Sequence, residues 1–477
     1  MRINQIFKIY DADDYVRTAE EAAAWIKTTE EITPYGKRWK PCPDSDEDFS
    51  DFPLLTPKAL YGGSAGVALF YLRLWQVTGC AGYFSEAEAA ASDIIATYEG
   101  RDFYTDVLEQ RYATGGRPVN IKKKYMPGWF ISFGNGPTGG AYLAKKLYDT
   151  TGREEYKNHV LKTADDILAV SKTTPDGNLY WSGQNDVSGD GGLLYTLIYA
   201  WRLSGDRRFI DAAAAFGRYV EAAGKSAPNG GRYWILIDLS RLGFPKDAFF
   251  VNWGHGTAGI GWIFAILYEE TKDELFLRAA RDAAEYIKGI AIGDDYAILT
   301  PYLDSLERGP STEFYYLSTC HGPAGTSLLF EALYKITGEK DYLEWVKRLS
   351  RGIIEAGAPE HYSRGYWPSN CYCCGTAGLL EHFVRTYRLT GEEEFLEYAK
   401  RSASCVISQS FTEDSADIYK SEKKRLWYGS WTRTNPADVH SYTGLYIGTA
   451  GNAWSLLTMA GLERGENYVE LPEHDII

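Results

Sequence analysis

The pattern Gly-x-x-Gly followed by an apolar run recurs seven times, opening at Gly63, Gly136, Gly189, Gly256, Gly322, Gly375 and Gly448. One such tetrapeptide carries almost no information, but seven at comparable intervals along the chain define a repeat. In five copies a further glycine follows at one constant distance from the second, at Gly79, Gly152, Gly205, Gly338 and Gly391, each preceded by Thr or Ser. The spacing predicts a helix of about three and a half turns. It is entered through a tight glycine turn and ended by a glycine in the left-handed conformation. A second helix follows each terminator. After Gly205, for example, Phe209, Ala213 and Gly217 recur every fourth residue, the stripe of an amphipathic helix. Each repeat therefore reads as an inner helix, apolar on most sides (Ala324, Leu328, Leu329, Ala332, Leu333), and an amphipathic outer one. The stretch from 14 to 28 is expected to be the outer partner of the first motif.

Seven such pairs must stack as an open array or close into a ring. Irregular intervals and the lack of obvious polar end caps favour an all-α, double-layered α/α toroid of seven helix pairs. A length of 477 residues would suggest about three domains. The repeat instead predicts a single domain over residues 1–477. Long loops are expected at 101–130, 224–250 and 411–440, with a hairpin around Tyr233–Ile237. The net charge of −14 and the absence of any Lys/Arg run longer than Lys122-Lys123-Lys124 argue against a nucleic-acid partner. No apolar stretch is long enough for a membrane span and no secretory run opens the chain, so a cytoplasmic protein is expected.

In a closed toroid, equivalent positions of successive repeats become neighbours. Counting back from the first glycine of each motif, Asp186 stands at −3 in the third repeat and His255 at −1 in the fourth. Cys320 and His321 stand at −2 and −1 in the fifth, and Cys373 and Cys374 at −2 and −1 in the sixth. Three thiols from adjacent repeats suggest one zinc ion per chain, bound by Cys320, Cys373 and Cys374 with the fourth position open for catalysis. Cys371 and His321 stand as alternative ligands. Cys42, Cys80 and Cys405 read as small buried hydrophobes. His255 is either a hydrogen-bonded residue at a helix start or an acid/base group beside the metal. Asp186 is either a cap of the third inner helix or part of the site. His440, before the seventh motif, could also reach it, whereas His159, His361, His382 and His474 belong on outer helices or loops.

With these motifs the chain resembles the lanthionine synthetase C-like family, the cyclases of lanthipeptide biosynthesis and their relatives. The resemblance rests on the seven glycine motifs, Gly254-His255-Gly256, Cys320-x-Gly322 and Cys373-Cys374-Gly375. It implies a zinc-dependent cyclase that joins a peptide cysteine thiol to a dehydroalanine or dehydrobutyrine, forming a thioether ring. His255 and Asp186 match the family's acid/base histidine and nearby aspartate. The sixth repeat departs from the common Cys-His-Gly of free-standing cyclases; the Cys-Cys-Gly here is a variant met among fused synthetases. The usual Trp-Cys-Tyr-Gly is Thr319-Cys320-His321-Gly322, and Tyr316 replaces an arginine often found there. His321 could therefore take a proton-transfer role. The expected partner is a dehydrated, cysteine-containing precursor peptide supplied by a separate dehydratase, since no fused dehydratase or kinase is expected ahead of the first repeat.

Two other classes fit parts of the sequence. A glutathione- or thiol-peptide-binding or conjugating relative would keep the metal without cyclising. A carbohydrate-active toroid, a sugar hydrolase or epimerase, would in the hydrolase case need paired carboxylates. Its candidates are Asp186, Asp190, Asp304 and Glu381, and it would leave the three cysteines unexplained.

Overall fold

The computed structural model describes residues 8–46, 55–109, 126–228, 230–312, 315–361, 369–413, 423–430 and 437–477. Along these run α1 (Ala12–Lys27), α2 (Ser64–Thr78), α3 (Ala81–Ala96), α4 (Arg101–Leu108), α5 (Pro127–Ile131) and α6 (Thr138–Thr151). Then come α7 (Glu154–Ala169), α8 (Leu193–Ser204), α9 (Arg207–Ala222), α10 (Thr257–Thr271), α11 (Glu274–Ile290) and α12 (Pro323–Thr337). The last are α13 (Lys340–Glu355), α14 (Thr376–Thr390), α15 (Glu393–Ser408), α16 (Thr449–Arg464) and α17 (Pro472–Asp475). The seven motifs open the inner helices α2, α6, α8, α10, α12, α14 and α16. The expected loop at 101–130 is partly helical, as α4 and α5, and its residues 110–125 lie outside the described set, as do 414–422 and 431–436 of the third loop.

The two kinds of glycine do different work. The motif glycines are extended rather than left-handed, with Gly322 at φ −130°. Their role is space: a Cβ on Gly325 would lie 1.7 Å from the carbonyl oxygen of Thr319, and one on Gly259 would lie 1.9 Å from that of Trp253. Each helix start is thereby pressed against the loop residue at −3. The terminators are left-handed as expected, with Gly338 at φ 72°. In the fourth repeat, where that glycine is missing, Lys272 takes the same conformation at φ 56°.

Helices α2 to α15 form hairpins in sequence order, but α16 has no helix after it in the role of an outer partner. That place is filled by α1, which packs along α16 and scarcely along α2. The expectation that the first outer helix serves the first repeat is thus corrected: it completes the seventh. Asp13 and Arg464 join the two elements at 2.8 Å. The inner layer closes where α16 meets α2, with the Arg73 guanidinium 3.4 Å from the Trp454 ring centroid. The C-terminal segment then fills one end of the ring. Tyr142 Oη donates to the Glu470 carbonyl at 2.6 Å, Tyr199 Oη to Asp475 at 3.1 Å, and Lys335 Nζ to the Ile477 carbonyl at 3.1 Å.

Short antiparallel ribbons follow several outer helices and lead to a buried tryptophan. Trp181, Trp234 and Trp427 donate their indole N–H to outer-helix carbonyls of Ile167, Val220 and Val406 at 2.6 to 2.8 Å. The backbone N–H of Trp39, Trp234 and Trp427 donates to the hydroxyls of Ser64, Thr257 and Thr449, which open inner helices, at 3.1 to 3.3 Å. The hairpin expected at Tyr233–Ile237 is shorter: Arg232–Tyr233 pairs with Lys225–Ser226, and Trp234 turns into the core. These anchors fix the loops before the glycine motifs, where the chemistry lies. Among the described residues no helix is long and apolar enough to cross a membrane.

Candidate metal centre

The residues at −2 are tied to one another directly. Gly254 N–H donates to the Cys320 carbonyl at 2.8 Å, Cys320 to Cys373 at 3.2 Å, and Cys373 to Tyr446 at 2.9 Å. Tyr446 donates to Tyr61 at 2.9 Å and Tyr61 to Gly134 at 2.7 Å. This backbone girdle links six repeats around one mouth of the ring. It engages main-chain groups and leaves the side chains to face the axis region or their neighbours.

Cys320, Cys373 and Cys374 converge there, with each sulfur within 4.8 Å of the other two. Cys320 Sγ and Cys374 Sγ are 3.2 Å apart. The cluster could bind a metal ion. Without one, hydrogen bonding from Cys320, then from Cys374, holds the Cys373 thiol well below its ordinary range. The bond with Cys373 pushes Cys320 well above its ordinary range, and bonds with Cys320, then Cys371 and Cys373, do the same to Cys374. Tyr61 is raised by burial and by the nearby Cys373, which keeps its phenol protonated and a donor to that sulfur. Cys371 stands outside the triad and accepts from the Ser369 hydroxyl at 3.1 Å.

Asp186 is fully buried and lies 2.5 Å, Oδ2 to Nδ1, from His255. Gln184 Nε2 holds the other carboxylate oxygen at 3.0 Å. The helix-capping alternative falls to its main chain, whose carbonyl accepts from Gly189 and Gly191 at 3.0 Å, while the side chain faces the histidine. A carboxylate only accepts, so Nδ1 of His255 carries the proton and Nε2 is the basic atom. Since Gly254 is bonded to Cys320, the repeat register brings this pair beside the thiols.

His321 is not grouped with the three sulfurs. Its ring lies 5.1 Å from that of His255, among Phe250 at 4.6 Å, Tyr302 at 5.1 Å and Tyr316 at 5.3 Å. Sequence reasoning misses Phe250 and Tyr302 as site residues, because they lie outside the motif register. His440 sits elsewhere, against Asp44 and Asp438. His382 belongs to an inner helix and is fully buried, and Cys80 is exposed, both contrary to expectation. Asp190, Asp304 and Glu381 hold the framework. Asp190 takes the place of the helix-opening threonine and accepts the backbone N–H of Trp181, Ser182 and Gly183 at 2.9 to 3.1 Å. Burial, only partly opposed by those bonds, raises its carboxyl to about 6. Asp304 accepts from Tyr286 Oη, and Glu381 from Thr458 Oγ1, both at 2.5 Å.

A closed ring of seven α/α hairpins with a thiol cluster at its mouth is the class of protein that this architecture defines. The model of the lanthionine synthetase C-like protein family matches residues 55–467, and the chain belongs to that family. Nisin cyclase has a similar fold, with a TM-score of 0.59, 15% identity and 95% of each chain covered. A sugar epimerase from a ruminal bacterium matches at a TM-score of 0.48 and 15% identity, over 80% of this chain and all of that one. The GH76A alpha-1,6-mannanase from Salegentibacter sp. HEL1_6 matches at 0.43 and 12%, over 94% and 98%. No curated protein matches in sequence.

Proposed function

We propose that the protein is a zinc-dependent lanthionine synthetase that adds a cysteine thiol of a dehydrated peptide to a dehydroalanine or dehydrobutyrine of the same chain. The observation that carries this reading is the meeting of three sulfurs from two repeats beside a histidine–aspartate pair. Family membership and the fold shared with nisin cyclase support it. Cys320, Cys373 and Cys374 would hold the ion, their three sulfurs being a donor set that suits zinc. Thiolates also select zinc over magnesium or calcium. When bound, zinc would lower the pKa of the incoming thiol so that it reacts as a thiolate near neutrality.

The chain's own groups handle the proton. Carbon–sulfur bond formation at Cβ breaks the carbon–carbon π bond and leaves an enolate, which must gain a proton at Cα. Nε2 of His255 is the atom to carry the proton released by the thiol and return it to Cα. Asp186 holds the ring through Nδ1 and stabilises the imidazolium between the two transfers. His321, next to His255, completes this proton-transfer set, and its aromatic surround narrows the space for the substrate backbone. The precursor peptide would come from a separate dehydratase, in the cytoplasm.

A sugar hydrolase would require a reactive pair of carboxylates, whereas Asp190, Asp304 and Glu381 are engaged in the framework. A thiol-binding relative would bind the peptide without ring closure, so turnover separates it from a cyclase. Cys374→Ala should lose a zinc ion and ring formation together while keeping its helical circular dichroism. Ring formation can be read by thiol alkylation and mass spectrometry of a dehydrated peptide. Unchanged cyclisation in this variant would overturn the ligand set.

A further inference from the structure

A second group of metal-ligating side chains is distinct from the mouth triad. Cys42, Asp44 and His440 bring a sulfur, a carboxylate oxygen and an imidazole nitrogen within 4.8 Å of one another. They come from two segments near opposite ends of the sequence: the one that leads from the first ribbon towards α2, and the one that enters α16. These segments form the seam at which the ring closes. Thr443 already holds them together: its N–H donates to the Pro41 carbonyl at 3.1 Å, and its Oγ1 to the Lys40 carbonyl at 2.8 Å. The positions of the three donors are therefore set by the fold.

We propose that this seam is a second zinc site, a staple across ring closure formed by Cys42 Sγ, Asp44 Oδ1 and His440 Nδ1. Orientation supports it. Asp438 Oδ1 lies 2.9 Å from His440 Nε2. A carboxylate only accepts, so a neutral ring that keeps its proton on Nε2 towards Asp438 would offer the Nδ1 lone pair to an ion held together with Asp44 Oδ1, 3.4 Å away. A carboxylate behind a histidine is the usual outer partner of a zinc-bound imidazole, fixing its tautomer and raising its basicity. Asp44 is oriented in the same way. Ser441 N–H donates to Oδ2 at 2.9 Å, and Oδ1 accepts from the Cys42 thiol at 3.4 Å. Metal binding would replace that thiol proton, releasing it to solvent and leaving a thiolate, a carboxylate and a neutral imidazole around the ion.

Sulfur with nitrogen and a single carboxylate is a donor set for zinc rather than for magnesium or calcium. Another cluster, Glu381, Glu470 and His474, has comparable spacing but is filled by cations. Arg73 lies 3.8 Å from Glu381 and 3.2 Å from Glu470, and Arg385 lies 3.1 Å from His474. In the seam group the carboxylates of Asp44 and Asp438 face the His440 ring.

The test is metal content after zinc loading and gel filtration. Wild type should hold about two zinc ions per chain and His440→Ala about one, with ring formation retained. Cys320→Ala/Cys374→Ala should keep about one while losing ring formation, so failure of the cyclase reading and failure of the staple give different patterns. Equal zinc in His440→Ala and wild type would overturn the proposal, as would a folded double variant without zinc. Should the double variant not fold, cobalt-loaded Cys42→Ser decides. Loss of part of the sulfur-to-cobalt absorption supports the site, and an unchanged spectrum overturns it.

Discussion

The two ends of the ring are built from the same seven helices and treat polar groups in opposite ways. At the mouth, the backbone girdle satisfies main-chain groups, and thiols, imidazoles and a carboxylate are set against one another. At the closed end, buried charge is matched by opposite charge. Arg73, fully buried, is held between Glu381 and Glu470 and also donates to the Val469 carbonyl at 2.9 Å. Glu473 links the two ends, accepting from Tyr372 and Tyr446 of the mouth loops at 3.2 and 2.9 Å. One end supplies rigidity so that the other can keep unneutralised, reactive groups in fixed positions.

This division of labour can be tested. The largest effect is expected at the mouth: His255→Asn, whose amide can still donate to the buried Asp186, should lower the rate of ring closure by about 10²–10⁴-fold, with zinc content and thermal stability unchanged. A matching loss of stability would show that the pair is structural. At the closed end, Arg73→Ala leaves the buried Glu381 without its cation and Glu470 with Arg388 alone, and should cost about 3–5 kcal/mol in denaturant unfolding. Turnover per folded molecule should not change; if it falls in proportion, the two ends are not separable. Acid probes the same end. Burial alone would raise Glu470, but the charge of Arg73 and the His474 and Arg388 contacts outweigh it and bring the carboxyl down to about 2 from 4.5. A carboxyl lowered by folding stabilises the protein above its unfolded value, so this contribution is present above pH 4.5 and is lost as pH falls towards about 2. Arg73→Ala should flatten that part of the stability profile. The smallest effect belongs to neither end's chemistry: Lys272→Gly should raise stability by about 0.5–1 kcal/mol, because glycine adopts the left-handed cap without a Cβ clash.

Much of this was legible in the sequence because the glycines answer to local backbone demands. The terminators mark left-handed caps, and the motif pairs mark contacts too close for a Cβ, so helix starts, helix ends and the register of Asp186, His255, Cys320, Cys373 and Cys374 could be read by counting. The parts that escaped depend on distant packing. Nothing in residues 12–27 says that they belong beside α16 rather than α2, since an amphipathic stripe names a face and not its partner. The terminal plug is a short polar segment whose role comes from the tyrosines and basic groups it meets. Cys42 and His440 look ordinary alone, and only ring closure brings them together.

Closure by the first helix also bears on synthesis. The residues that embrace α1 are made last, so α1 leaves the ribosome long before its surface can be covered. Until then its apolar face (Tyr15, Ala19, Ala22, Ile26) has no native partner to bury it. The nascent protein must therefore pass through an open, C-shaped stage with an exposed seam, a long-range closure that is slow and prone to aggregation. Yield of active protein should depend more on protecting that stage than on the stability of the finished ring.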